Sequence, residues 1–191
     1  MFGDPDNNPK GFNIKTIKEV SRGKLSYGIA ASAVDYDGET RYIRITDIDE
    51  HGNLNSDCKS PDEYDEQFLL HEGDILFARS GATVGKTYQY HLAHGKALYA
   101  GYLIRSIPDT NVIEPTFLFQ STKTAYYDGC IGLLKRGATQ PNINAQQYGD
   151  LKIIVPPIAL QRDFIRFVEQ VDKSKLLLLE SLKNILPDNL T

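Results

Sequence analysis

The firmest pattern in the chain is Gly73-Asp74-Ile75-Leu76-Phe77-Ala78, an apolar run that stops at Arg79. It gives way to Ser80-Gly81-Ala82 and resumes with β-branched and aromatic residues through Thr87 and Tyr88. That is the signature of a strand, a tight loop and a second strand. Upstream, Asp4-Pro5-Asp6-Asn7-Asn8-Pro9-Lys10-Gly11 consists largely of turn formers and predicts an irregular lead-in, followed by a short element of mixed helix and strand character at 13–20. Residues 41–48 alternate strictly, so Ile43 and Ile45 are expected to face a core while Tyr42, Arg44 and Thr46 face outward. Residues 49–72 are polar and acidic and predict a long loop. Further strands are expected at 97–107, with Tyr99, Gly101 and Arg105 on one face and Tyr102 and Ile104 on the other, and at 111–113.

The second half of the chain has helical periodicity. Pro115 suits a first helical position, and Phe117, Leu118, Ser121 and Ala125 carry a stripe towards Gly129. A short element around 145–148 and a buried strand at 151–155, closed by Pro156-Pro157, come next. From Ile158 to Leu186 neither Gly nor Pro interrupts a helical pattern, which corresponds to ~43 Å of helix. Its first half has one stripe (Leu160, Phe164, Phe167, Val168, Val171), whereas Leu176-Leu177-Leu178-Leu179 with Leu182, Ile185 and Leu186 is apolar over most of the circumference. Such a surface must be covered on more than one side. Phe164, Val171, Leu178 and Ile185 keep the seven-residue spacing of a coiled-coil seam, with Leu182 beside them, so a partner helix is the favoured cover and folding back on the chain's own domain the alternative. The expected fold class is α/β (α+β): one domain over 1–156 with a mixed, mostly antiparallel sheet and short helices, then a long coiled-coil-type helix over 157–191 for spacing or dimerisation.

Two loops carry the candidate chemistry. The turn at 79–87 holds Arg79 and Lys86, the hydroxyls of Ser80 and Thr83, and two glycines that bare backbone N–H groups, a set suited to an anion. A nucleotide phosphate loop requires four residues between its glycines and a helix after its lysine. Here three residues separate Gly81 from Gly85, and Thr87-Tyr88 and Tyr90 read as a strand. The second loop, Lys135-Arg136-Gly137-Ala138-Thr139-Gln140-Pro141-Asn142, joins two cations to Thr139 and to the amides Gln140 and Asn142, which are able to pair bidentately with adenine. Lys86 and Lys135 are point charges suited to phosphate; Arg79, Arg136, Gln140 and Asn142 are planar forks suited to base edges; Arg44 stands in an outward row that could meet either. No methyltransferase tetrapeptide or glycine-rich cofactor loop is present, so no catalytic residue is assigned and no cofactor is expected.

Net charge is −4, which by itself disfavours a nucleic-acid partner, but the distribution alters that picture. Residues 41–78 hold three basic and ten acidic side chains, whereas 79–136 hold seven basic and three acidic. A local basic surface, not the global sum, steers DNA. His91 and His94 lack further ligands at metal-site spacing, and Cys58 and Cys130 are isolated, so no metal site is expected. With no apolar run of membrane-spanning length and no signal-like N-terminus, the expected location is the cytoplasm, away from membrane.

Three pieces in order give the chain a family likeness: Phe2-Gly3-Asp4-Pro5 with Asn8-Pro9-Lys10-Gly11; Gly73-Asp74-Ile75-Leu76, Arg79-Ser80-Gly81 and Gly85-Lys86; and Asn142-Ile143-Asn144, Ile153-Ile154-Val155-Pro156-Pro157 and Gln161 leading into the long helix. Over nearly its whole length the chain resembles the specificity subunit of type I restriction-modification systems. The resemblance implies a non-catalytic, sequence-specific double-stranded-DNA-binding protein, with one target recognition domain that reads half of a split site. The helix would dock methyltransferase (modification) subunits, with the restriction subunit a further candidate partner. S-adenosylmethionine, ATP and Mg²⁺ would belong to those partners. A full subunit of the family carries two such domains and two antiparallel helices; this chain carries one of each, as a half-subunit or an excised half would, and the former implies a homodimer through Phe164, Val171, Leu178, Leu182 and Ile185. Two alternatives remain at this level: a nucleotide-binding enzyme using the 81–87 loop, and a dimerisation scaffold that does not bind DNA.

Overall fold

The computed structural model describes residues 2–185. Among the described residues there are ten strands: β1 (Asn13–Thr16), β2 (Ser26–Tyr27), β3 (Ala33–Asp35), β4 (Arg41–Ile43), β5 (Lys59–Pro61), β6 (Ile75–Ala78), β7 (Thr87–Gln89), β8 (Ala97–Tyr99), β9 (Leu103–Ser106) and β10 (Lys152–Val155). They are joined by α1 (Pro115–Ser121), α2 (Ala125–Lys135), α3 (Ala145–Gly149) and α4 (Ile158–Ile185). The central sheet runs β2-β9-β6-β7 and is antiparallel throughout, with β1–β10 and β3–β5 as further antiparallel pairs and β4–β8 as a parallel one. The fold is therefore the mixed, mostly antiparallel α/β domain with a long C-terminal helix that the pattern predicts.

β6 is the pivot because it is buried on both faces. Ile75 and Phe77 pack with Phe117, Leu118, Tyr127, Ile131 and Tyr148 from the helices, while Leu76 and Ala78 pack on the other side with Tyr88, Tyr99 and Leu103. A strand sandwiched in this way needs a continuous apolar run, not alternation, and that is how residues 75–78 are written. Polar residues of β7 that face the helices are satisfied there: the Thr87 and Thr122 hydroxyls stand 2.6 Å apart, and Gln89 donates to the Thr116 hydroxyl at 3.1 Å. Left unpaired, each of these buried groups would destabilise the domain.

Several expectations needed revision. The alternating segment is a strand only as far as Ile43 and then turns through a short 3-10 helix at Ile45–Asp47. Tyr42 is not outward but buried, its hydroxyl donating to the carbonyls of Ile29 and Ala31 at 3.0 and 2.9 Å. The strand expected over 97–107 is two, β8 and β9, separated by a turn in which the Leu103 N–H donates to the Ala100 carbonyl. The turn lets β8 pair with β4 and β9 with β6. Residues 111–113 form no strand; the Val112 and Ile113 N–H groups both bond the Asp109 carbonyl. The stripe from 115 to 129 is two helices, since the Thr122 hydroxyl donates to the Phe119 carbonyl at the end of α1 and the Thr124 hydroxyl caps α2 by accepting from Tyr127 N–H. Within 49–72 the loop contains β5 and a 3-10 turn at Glu66–Phe68.

α4 is anchored at its start and bare further on. Gln161 is fully buried: its amide donates to the carbonyls of Val112 and Pro156 at 3.1 and 2.8 Å, and its oxygen accepts from Glu114 N–H at 2.9 Å. Phe164 meets Phe2 and Phe117 edge-on, at centroid separations of 5.5 and 5.7 Å, so the irregular lead-in contributes a core side chain. Past that triangle Phe167 is 53% exposed and Leu178 65% exposed, and Val171, Leu177 and Leu179 are exposed as well. The helix does not fold back over these residues. The side chains of Leu182 and Ile185, assigned to the partner seam from sequence, lie outside the described residues, as do those of Leu176 and Leu186.

Candidate nucleic-acid interface

The loop that follows β6 is held at its neck by two tyrosines from the helices. Tyr148 donates its hydroxyl to the Ala78 carbonyl at 2.6 Å and accepts from Gly85 N–H at 3.1 Å, while Tyr127 donates to the Gly85 carbonyl at 3.1 Å. Burial pushes both phenols above their ordinary pKa, which favours the neutral, donating form. Gly85 is required at this neck: its φ is +97°, and a Cβ there would stand 2.7 Å from Ile131 Cγ2.

The same loop pins the second one. Gly81 N–H donates to the Pro141 carbonyl at 3.0 Å, Ile143 N–H donates to the Arg79 carbonyl at 2.8 Å, and Ser80 and Asn142 form an antiparallel bridge. Arg79 then joins four segments. Its N–H donates to the Tyr102 carbonyl, its guanidinium lies 4.7 Å from the Tyr27 ring centroid, and Nη2 donates to Asn142 Oδ1 at 3.1 Å. Tyr27 is fixed in turn by accepting from Ala145 N–H at 3.1 Å. Tyr27 and Tyr102 are both exposed.

The sequence-derived candidates thus separate. Arg79, Ser80 and Asn142 come together at this junction, and Arg136, Thr139 and Gln140 stand exposed on the adjoining loop, with Lys135 partly buried at the end of α2. Three others are occupied elsewhere. Lys86 points inward, its ammonium 3.0 Å from a Glu50 carboxylate oxygen and 3.2 Å from the Ile48 carbonyl, in place of the open phosphate ligand expected. Thr83 donates to the Ser80 carbonyl within its own turn. Arg44 is not part of an outward row: Nη2 lies 2.6 Å from the Asp47 carboxylate and 2.9 Å from that of Asp57, which hold it well above the usual arginine pKa. Sequence reasoning missed Tyr27, Tyr127 and Tyr148; the one local signal is that Tyr27 follows Arg22 and Lys24 closely in the chain.

The nucleotide-loop alternative finds no support in this geometry. Only one 3-10 turn, Gly81–Thr83, lies within the loop, Lys86 is taken by Glu50, and β7 follows where a phosphate loop opens a helix. His91 bonds Glu72 at 2.8 Å and His94 bonds the Tyr88 hydroxyl at 2.6 Å; among the described residues no group of three His, Cys, Asp or Glu side chains converges on a point. Nor is any described helix long and apolar enough to cross a membrane.

Comparison with known proteins finds a family match and a shared fold. Residues 9–187 match the family model described as type I restriction modification DNA specificity domain. Solved chains share the fold, three of them as follows. One is the HsdS subunit of Thermoanaerobacter tengcongensis (18% identity, TM-score 0.66, covering 96% of this chain and 49% of that one). Another is the S subunit of a type I restriction-modification system from M. genitalium (19% identity, TM-score 0.62, 92% and 43%). The third comes from a study of assembly and conformational transition in a type I R-M system (17% identity, TM-score 0.65, 96% and 52%). The chain spans about half the length of the solved chains it matches.

Proposed function

The chain belongs to the type I restriction modification DNA specificity family, and from that membership we propose that it reads one half of a split duplex-DNA target. The observation that carries this reading is the junction itself. Two loops distant in sequence are fastened into one exposed surface bearing Arg79, Asn142, Arg136, Thr139 and Gln140, on a protein that is acidic elsewhere. The chain acts without a reaction of its own: methyl transfer and cleavage belong to modification and restriction subunits that dock on it, and the exposed apolar face of α4 pairs with a second copy.

Selection of bound sites from random duplex DNA, with the methyltransferase partner present, tests the reading. One short half-site should emerge, and affinity should fall steeply with salt at a log–log slope of about −0.9 per phosphate neutralised. Arg136→Ala or Gln140→Ala should relax one base position, at roughly 1–3 kcal/mol of discrimination. No enrichment with the partner present, or salt-independent binding, would sink the proposal.

A further inference from the structure

The junction of the two loops has a donor balance that local sequence does not reveal. Arginine has donors and no acceptor, so the contact between Arg79 Nη2 and Asn142 Oδ1 fixes the orientation of the amide: oxygen towards Arg79, NH₂ away from it. One lone pair of the Asn142 oxygen is thereby taken, so a bidentate approach to N7 and N6 of adenine would have to share that oxygen with the Arg79 guanidinium, whereas the NH₂ is free to donate. This amide NH₂, the free edge of Arg79 and the hydroxyl of Ser80, the residue bridged to Asn142, together offer hydrogens, and no carboxylate bonds Arg79 or Asn142. Arg44, Lys59, Lys86, Lys96 and Arg162 each have a carboxylate partner, whereas Arg79 has none among the described residues. Its position is also fixed. The ring of Tyr27 lies against the guanidinium, Nε is buried without a partner, and the backbone N–H and carbonyl of Arg79 are both bonded.

We propose that Arg79 and Asn142, with the Ser80 hydroxyl, form a rigid clamp for one phosphodiester oxygen of the DNA backbone. The clamp sets the register of the domain on the duplex, and base discrimination falls to the exposed 136–140 loop. This inference rests on the DNA-binding reading and reassigns two residues whose planar forks alone suggested base recognition. It also supplies the phosphate contact that Lys86, turned inward to Glu50, does not make.

Asn142→Asp is the decisive variant. It keeps an acceptor for Arg79, so the junction stays closed, but replaces the outward amide donor with a charged acceptor facing the phosphate. Arg79→Gln is its companion: it removes the charge while retaining an amide that donates. Both are measured with the methyltransferase partner, on a matched site and on sites with one changed base pair, across a salt series, with thermal unfolding as the fold control. Each should weaken all sites alike, by roughly 10–100-fold, and make the slope of log affinity against log salt shallower by about one unit, with the ratio of matched to mismatched binding unchanged. A loss confined to one base position, an unchanged salt slope or unaltered affinity would overturn the clamp. Failure of the wild type to bind DNA at all would overturn the parent reading as well, so the two failures are distinguishable.

Discussion

Arg44 and Arg79 offer the same guanidinium to very different surroundings. Arg79 meets a ring and an amide, which leaves its charge uncompensated. Arg44 meets the carboxylate of Asp47, whose side chain is fully buried, through Nε and Nη2, and also reaches Asp57. Asp47 in turn accepts from the Arg44 backbone N–H at 2.9 Å, so the pair fastens the turn that ends β4. Removing one partner of such a pair strands a buried charge, a larger effect than the net worth of the pair. Arg44→Ala is therefore expected to destabilise the domain by about 3 kcal/mol, which for a chain of this size lowers the melting temperature by roughly 6–12 °C. Adding Asp47→Asn should recover part of the loss, because the stranded charge is then gone. Thermal unfolding of the single and double variants measures both effects. An unchanged melting temperature with weakened DNA binding would return Arg44 to the recognition surface.

At the scale of the element, the hairpin loop owes its shape to its neck. Gly81 and Gly85 both have positive φ, +66° and +97°, but only at Gly85 does a Cβ meet a neighbour, Ile131, while at Gly81 it meets open space. Gly81→Ala carries backbone strain alone, and Gly85→Ala carries strain plus a clash that α2 must yield to relieve. The second variant should be the less stable, by roughly 1–3 kcal/mol relative to wild type, and thermal unfolding of the two side by side checks the order. The strand–loop–strand itself was legible in sequence, because the apolar run and the glycine punctuation are local signals. Its clamps were not: Tyr148 lies 70 residues from the Ala78 carbonyl it binds, and Glu50 comes from the acidic loop to take Lys86. The hydrogen-bonding state of Asn142 likewise depends on a residue 63 positions earlier. Where a local signal was outweighed, as at Thr122 and Thr124, an apolar stripe masked the hydroxyls that end one helix and cap the next.

For the whole molecule the decisive arrangement is where the domain closes. β1 pairs with β10 along its full length, Asn13 opposite Val155 and Thr16 opposite Lys152, so the domain is sealed just before α4 departs. Gln161 and the Phe2–Phe117–Phe164 triangle fix the direction in which it leaves. The helix is 28 residues long, ~42 Å, and among its described side chains Phe167, Val171, Leu177, Leu178 and Leu179 are left exposed by the domain. An exposed patch of this kind calls for a partner, and a second copy is the economical one. Antiparallel pairing about a two-fold axis would set two identical domains in opposite orientations, so the recognised DNA should be an inverted repeat with a fixed spacer. Burying a leucine or valine contributes ~1.5–3 kcal/mol, and several per copy can exceed the cost of association. Because Val171 and Leu178 are exposed in the single chain, changing both to Glu should leave the melting temperature of the domain nearly unaltered. Sedimentation should then show wild-type dimers and variant monomers, and the variant should bind single half-sites but no longer prefer the spaced repeat. A wild-type chain that sediments as a monomer at high micromolar concentration would remove the second copy as the partner of this helix.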